Sequence, residues 1–161
     1  GVGGLGVGSG YRHDSATMER VLDVMATHHP KLMLVNFREP DRSGHKKNWE
    51  GYLQGIRDTD QYVYELYQFI QQDSIYAGKT SLFITNDHGR HLDDVKNGFF
   101  SHGCSCDGCR HINLFAFGPD FKQGHIEKMK REQIDIPATI AYLLGFDMPT
   151  GQGDVMSELF Q

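Results

Sequence analysis

The chain has 161 residues, 39% of them hydrophobic, which is enough to bury the core of one domain. Its formal net charge of −5 argues against binding to a nucleic-acid backbone, and no apolar run reaches the length of about 18 residues that suggests a membrane helix. The chain has three cysteines, an odd number, so they cannot all pair in disulfides. It has nine histidines, and several of them stand beside Asp and Gly, where we look for candidate functional residues.

Residues 1–10, GVGGLGVGSG, contain a formal GxGxxG. The phosphate-binding form of that motif needs a strand before it and a helix directly after it. No strand precedes this one in the sequence. We therefore predict a flexible glycine-rich tail or linker at 1–10, followed by a domain at 11–161.

Three segments have the pattern of helices. Apolar residues at i, i+3, i+4 and i+7 predict an amphipathic helix at 14–29, and a longer stripe predicts another at 49–72. A last helix, IPATIAYLLG (136–145), is expected, because Asp135 can cap it and Gly145 can end it.

Nearly continuous apolar runs predict buried strands at 31–37, 81–85 and 112–118. Because these runs alternate with the helical segments, the order favours an α/β fold with a mainly parallel central sheet flanked by helices.

Acid–imidazole pairs follow two of the predicted strands. Asp41 and His45 come after the run at 31–37, and Asp87 and His88 come after the run at 81–85. Ligands of open α/β sheets bind beyond the carboxyl ends of the strands, and Asp oxygen and His nitrogen are ligands for zinc and similar ions. Either pair alone would more often be an ordinary loop. Their coincidence, with a further His in a glycine loop, predicts a metal site.

Three motifs occur in a distinctive order: PDRSGH (40–45), NDHG (86–89) and SHG (101–103). The strand INLFAFGPDF and the closing stretch IDIPATIAYLLGFDMPTGQG accompany them. Together they resemble the C-terminal part of an alkaline-phosphatase-superfamily metalloenzyme, over about residues 30–156. The nucleotide pyrophosphatase/phosphodiesterase-like branch is the most similar, with sulfatases, phosphonoacetate hydrolases and phosphomutases as relatives. The resemblance implies the α/β sandwich of that superfamily, present here in part.

The resemblance also implies roles for individual residues. Asp41, His45 and His102 would bind one divalent ion, and Asp87 and His88 would bind a second. Zinc is expected, with manganese, magnesium and calcium as alternatives. A further Asp and the Ser or Thr nucleophile would come from an N-terminal segment of the same protein, upstream of this chain. The chain alone is therefore expected to be inactive, because covalent phosphoryl transfer needs the nucleophile.

By resemblance, the function is that of a metal-dependent hydrolase of phosphate, sulfate or phosphonate esters, with an anionic ester as substrate. The His of SHG favours the two-metal branch over a formylglycine sulfatase. The substrate, and the choice between phosphatase, phosphodiesterase, sulfatase and mutase, stay open. So does the location, with a periplasmic or secreted one slightly favoured because many relatives are exported.

The stretch CSCDGC permits a different interpretation. Cys104, Cys106, Cys109 and His111 could form a zinc knot in a structural or interaction module. Structural zinc sites usually draw on two separated pairs of ligands, and four ligands within 104–111 are cramped. A disulfide from Cys109 to Cys104 or Cys106 is a comparable alternative, and free thiols are favoured over both.

Three other polar residues lie near these motifs. His91 is interpreted as a solvated loop residue rather than a ligand. Arg90 and Arg110 could meet an anionic substrate, since guanidinium pairs well with phosphate or sulfate, but a surface role is at least equally expected.

Overall fold

A computed structural model describes residues 12–161, so the tail predicted at 1–10 lies outside the described residues. The helices are α1 (Asp14–His28), α2 (Asp41–His45), α3 (Trp49–Gln72), α4 (Asp107–Arg110) and α5 (Asp135–Leu144). The strands are β1 (Leu82–Thr85) and β2 (Leu114–Phe117), and short 3₁₀ turns occupy Gly98–Phe100 and Ser157–Leu159. Within the described part of the chain, no helix combines the length and apolar character needed to cross a membrane.

These elements belong to two compact units. The first comprises the described residues up to Ala77 together with Arg90–Cys109. The second comprises Gly78–Gly89 together with Arg110–Gln161. Helices dominate the first unit, and the second holds the sheet and α5. The chain is thus of mixed α/β composition.

The core of the first unit lies between α1 and α3. The buried apolar side chains of these helices are Met18, Val21, Met25, Leu66 and Ile70. They recur at helical spacing, so burying one face of each helix stabilises both. This periodicity confirms the helices predicted at 14–29 and 49–72.

Asp14 connects α1 to the segment that precedes α2. Its buried carboxylate accepts hydrogen bonds from the backbone N–H groups of Arg38 (2.9 Å) and Glu39 (3.1 Å). These bonds compensate the burial of the charge and fix the point at which the chain enters PDRSGH.

The strand predicted at 31–37 is wrong: these residues form no strand in the structure. Leu34 is 95% exposed and Leu32 is 56% exposed, so the run is not buried. A strand needs a neighbour for its backbone hydrogen bonds, and apolar composition alone does not supply one.

The second unit contains the paired strands. Leu82 lies opposite Phe117 and Thr85 lies opposite Leu114, so β1 and β2 are antiparallel. The two later predicted strands are confirmed, but in the described residues the only sheet has two antiparallel strands. The mainly parallel sheet was inferred from short apolar runs, which carry no information about strand direction.

The predicted closing helix is confirmed as α5, with Gly145 ending it in the left-handed conformation (φ 72°). The predicted cap is wrong: Ile134 holds the N-cap position, and Asp135 lies in the first turn of the helix. The fully buried Thr139 hydroxyl donates to the carbonyl of Asp135 at 2.8 Å and accepts from the backbone N–H of Met156 at 3.0 Å. These bonds attach the C-terminal tail to α5.

Candidate metal centre

Two candidate ligands lie on the single helical turn α2. Residues four apart face the same side of a helix. In α2, His45 Nε2 accordingly lies 3.4 Å from Asp41 Oδ1. The motif PDRSGH therefore presents a carboxylate and an imidazole side by side.

His102 joins this pair from a distant part of the same unit. Its Nε2 atom lies 3.1 Å from His45 Nε2 and 3.6 Å from Asp41 Oδ1. The turn before His102 is anchored on α3, where the ring of Phe99 packs 4.9 Å from that of Trp49 and 5.9 Å from that of Tyr52. Aromatic packing thus helps to set the position of the SHG motif.

The donor geometry of Asp41, His45 and His102 can be compared with that of a metal site. Zinc binds nitrogen and oxygen at about 2.0–2.2 Å, so tetrahedral ligand atoms lie roughly 3.3–3.6 Å apart. The three observed separations are 3.1, 3.4 and 3.6 Å. The side chains are 43%, 48% and 29% exposed, which leaves them accessible to an ion. Spacing, donor type and access all fit a divalent metal.

Arg90 holds Asp41 in this arrangement. Its Nη2 donates to the Asp41 carbonyl at 2.7 Å and also contacts the Asp41 carboxylate. The guanidinium lies 5.7 Å from the ring centre of Tyr52, and the side chain is only 8% exposed. A surface role for Arg90 is therefore wrong. A carboxylate has about four lone-pair directions, so Asp41 can accept from Arg90 and still bind an ion.

The other two candidate ligands, Asp87 and His88, belong to the second unit and directly follow β1 and Asn86. His88 Nδ1 lies 2.9 Å from the Gly89 carbonyl, which makes Nδ1 the protonated nitrogen and directs the lone pair to Nε2. His88 Nε2 lies 3.7 Å from Asp87 Oδ2. These atoms are also of the types that bind divalent ions.

Asn86 organises the turn that carries these two side chains. Its amide donates to the carbonyls of His88 (3.0 Å) and His111 (3.2 Å), and its oxygen accepts from the backbone N–H of Asn113 (2.8 Å). One side chain therefore links the end of β1 to the approach to β2.

The family model of the Metalloenzyme superfamily matches residues 9–148. The chain belongs to the Metalloenzyme superfamily. It is also 29% identical over 157 residues to a protein from Herpetosiphon aurantiacus named phosphopentomutase. That similarity covers 97% of this chain and 37% of the relative, so the chain spans little more than a third of the relative's length.

Membership in the Metalloenzyme superfamily confirms the broad resemblance drawn from the three motifs and implies divalent metal ions. It does not distinguish the nucleotide pyrophosphatase-like or sulfatase-like branch from the others. The number and identity of the ions likewise stay predictions.

The cysteines of this Metalloenzyme-superfamily chain are free, as favoured from the sequence, and neither disulfide is formed. Cys104 Sγ lies 3.6 Å from Cys109 Sγ. Hydrogen bonds from the Cys104 thiol and the Cys109 backbone lower the pKa of Cys106 to about 7. The hydrogen bond to Cys106 raises the pKa of Cys104.

His91 accompanies Cys104 and Cys109. The three side chains form a group whose ligand atoms lie within 4.8 Å of one another. His91 is 6% exposed, so its interpretation as a solvated loop residue is wrong. The imidazole beside these thiols is His91, whereas the sequence suggested His111 for a knot.

Sequence reasoning missed the positions of Arg90 and His91 and the function of Asn86. All three stand in or directly after NDHG. An arginine and a histidine so close to predicted ligands were the available signal. The Arg90 side chain, however, is buried against Asp41 of α2 and Tyr52 of α3, and His91 is held by the loop 98–109; all of these are distant along the chain.

Proposed function

We propose that this chain is the metal-binding part of an enzyme that transfers phosphoryl groups from phosphate esters to water. The observation that carries the proposal is the approach of Asp41 Oδ1, His45 Nε2 and His102 Nε2 to within 3.1–3.6 Å of one another, in a member of the Metalloenzyme superfamily.

Asp41, His45 and His102 bind the first ion in this proposal, and Asp87 and His88 contribute to a second. Two imidazoles and one carboxylate favour zinc over calcium or magnesium, which prefer oxygen alone. Manganese is the next candidate. Such ions supply positive charge to the phosphoryl oxygens and lower the pKa of coordinated water.

Residues of this chain prepare the site for that chemistry. Arg90 fixes Asp41 by two contacts, one to the backbone and one to the carboxylate. The Gly89 carbonyl selects the tautomer of His88. Both interactions are of the kind that orients metal ligands before the metal binds.

The substrate is an anionic ester, with phosphate favoured over sulfate and phosphonate because the similar protein is named for a phosphate-transferring activity. The nucleophile is assigned to an N-terminal segment of the same protein, as the resemblance of the three motifs implies, and the chain covers only 37% of that relative. The chain alone should bind metal without turning over ester.

A phosphomutase is the second candidate, favoured by the name of the relative. A mutase returns the phosphoryl group to a sugar, whereas a hydrolase releases it to water. The two candidates can be distinguished with a protein that includes the proposed N-terminal segment, supplied with zinc or manganese and a pentose phosphate. Release of inorganic phosphate indicates a hydrolase. Formation of an isomeric pentose phosphate without phosphate release indicates a mutase.

Calorimetric titration of zinc into the 161-residue chain tests the metal site itself. Zinc can also bind the cysteines, so the binding at issue is the part that persists after the thiols are alkylated. We expect the double substitution Asp41→Asn/His45→Ala to abolish this thiol-independent zinc binding, and His125→Ala to leave it intact. His125 is a matched control, because its Nε2 pairs with Glu127 at 3.3 Å and belongs to no motif. Unchanged zinc binding by the double variant would refute the assignment of these ligands. Robust ester hydrolysis by the 161-residue chain would refute the assignment of the nucleophile to another segment.

A further inference from the structure

His91, Cys104 and Cys109 form a buried cluster in the first unit that shares no residue with the proposed phosphoryl-transfer site. We propose that this cluster is a separate metal site, for zinc or another divalent ion that prefers thiolate, and that its role is structural. The existence of this site does not depend on the proposed function; its expected effect on the loop that carries His102 does.

The burial of His91 is the first observation. The residue is 6% exposed, and neither Nδ1 nor Nε2 has a hydrogen-bond partner among the described residues. A buried polar group without a partner destabilises the folded chain. A metal bound through one ring nitrogen removes part of that destabilisation and accounts for an imidazole that nothing else in the described chain satisfies.

The spacing of the thiols is the second observation. Zinc binds sulfur at about 2.3 Å, so two thiolates of a tetrahedral site lie roughly 3.8 Å apart. The Sγ atoms of Cys104 and Cys109 lie 3.6 Å apart, far beyond the S–S bond of about 2.05 Å. All three ligand atoms fall within 4.8 Å of one another. The cluster is therefore spaced for a metal and open enough to admit one.

The backbone around the cluster is built to hold this spacing. The N–H of His91 donates to the Ser101 carbonyl at 3.1 Å, and the N–H of Cys106 donates to Cys104 Sγ at 3.3 Å. Gly108 lies so close to the backbone of Arg90 that an added Cβ would overlap the Arg90 carbonyl oxygen. The loop 104–109 thus packs directly on the segment that carries His91.

A zinc site made only of residues 104–111 would be cramped, and His91 as a ligand removes that objection. The ligands now come from two places, position 91 and the loop 104–109, so the ion joins separate backbone segments as structural zinc does. Binding requires the Cys104 and Cys109 thiols to release their protons to solvent. Cys106 or a water completes the coordination.

The expected role follows from the position of His102, two residues before Cys104. An ion at the cluster would restrain the loop that presents His102 to Asp41 and His45. We expect its removal to loosen that loop and weaken binding at the phosphoryl-transfer site, without contributing a ligand to it.

Cobalt(II) added to the full reduced chain tests the site directly, because thiolate ligation gives an intense near-ultraviolet charge-transfer band that oxygen and nitrogen ligands do not. We expect His91→Ala and Cys109→Ser to weaken cobalt and zinc binding at this site by at least ~100-fold. Loss of an outer-shell partner of a metal ligand already weakens binding about 10–100-fold, and these variants lose a direct ligand. His111→Ala is the matched control and should keep the band unchanged.

A rescue variant guards against simple misfolding of the loop. His91→Cys replaces the imidazole with a third sulfur ligand, so it should retain zinc and raise the number of sulfur atoms that X-ray absorption finds near 2.3 Å by one. Zinc surrounded only by nitrogen and oxygen would overturn the proposal. So would a cobalt band that survives His91→Ala, or a Cys104–Cys109 disulfide in protein kept under reductant.

Discussion

The Nε2 atoms of His45 and His102 lie 3.1 Å apart, although 57 residues separate them in the sequence. At that distance one nitrogen donates a hydrogen and the other accepts it. In the proposed site, a divalent ion bound by both nitrogens would replace that shared hydrogen with two coordination bonds.

Removing one of these imidazoles should weaken metal binding strongly. Because His45 is a proposed direct ligand, His45→Ala should cost more than the 10–100-fold that removing an outer-shell partner typically costs. Equilibrium dialysis with zinc, analysed by mass spectrometry of the metal, measures the change. His125→Ala provides the comparison, and an equal loss in both variants would show that the effect is not local.

Arg90 should contribute to stability as well as to the position of Asp41. Replacing it by alanine removes two hydrogen bonds to Asp41 and the packing on Tyr52, and we expect a loss of about 1.5–3 kcal/mol in the free energy of unfolding. This loss of unfolding free energy is smaller than the loss expected on breaking a fully buried ion pair, because the Asp41 side chain is 43% exposed and water can solvate it.

Urea unfolding of Arg90→Ala should be compared with that of Arg20→Ala. Arg20 pairs with Asp23 on the surface of α1, with both side chains more than half exposed. Such pairs contribute below about 1 kcal/mol. If the two variants lost the same stability, the Arg90–Asp41 contact would be no more than a surface ion pair.

Gly108→Ala should destabilise the first unit. The new methyl group would overlap the Arg90 carbonyl oxygen and lie 3.0 Å from the Leu92 side chain. Overpacking of this kind costs about 1–3 kcal/mol, and a backbone oxygen cannot move aside as a flexible side chain can. The loss is measurable by urea unfolding. Ser105→Ala, an exposed change in the same loop, should leave stability within about 0.5 kcal/mol.

The second unit should lose stability in acid. Hydrogen bonds and charge from Arg131 lower the pKa of Glu158 below 4.5, and the guanidinium lies 2.5 Å from its carboxylate. Burial alone would raise the pKa of Asp135, but backbone N–H groups of Glu132 and Asp154 and the charge of Arg131 lower it below 3.8. Both carboxylates therefore bind protons more readily in the unfolded chain.

The sign of this pH dependence follows from those directions. The stabilisation is fully present above about pH 4.5, where both groups are ionised in either state, and declines as the pH falls through the lowered folded-state pKa values. Unfolding measured between pH 7 and pH 3 should show this decline, reduced in Glu158→Gln. Glu19→Gln, an exposed change on α1, should leave it unaltered.

The helices were predictable because their information is local. Met18, Val21 and Met25 repeat at helical spacing within α1 itself, and the same holds along α3. The run at 31–37 has an equally clear apolar pattern. A strand, however, depends on a second segment for half of its hydrogen bonds, and no stretch of seven residues encodes where that segment is.

The candidate site was predictable to a similar extent. Asp41 and His45 stand four residues apart, and one helical turn brings them together. The place of His102 beside them came from motif order, since nothing local relates it to α2. His91 was misjudged because the loop 98–109 packs against its two neighbours, Arg90 and Leu92, and accepts a hydrogen bond from its backbone N–H, which no pattern around residue 91 reveals.

The assignment of residues to the two units also limits how the gene can be divided to express one unit alone. The chain changes unit at 77–78, at 89–90 and at 109–110, so neither unit is one continuous stretch of the described sequence. A gene segment encoding either unit alone would need a new linker joining its two parts. Engineers who wish to transplant the Asp41–His45–His102 triad must therefore carry a spliced or circularly permuted sequence, because no single excision isolates it.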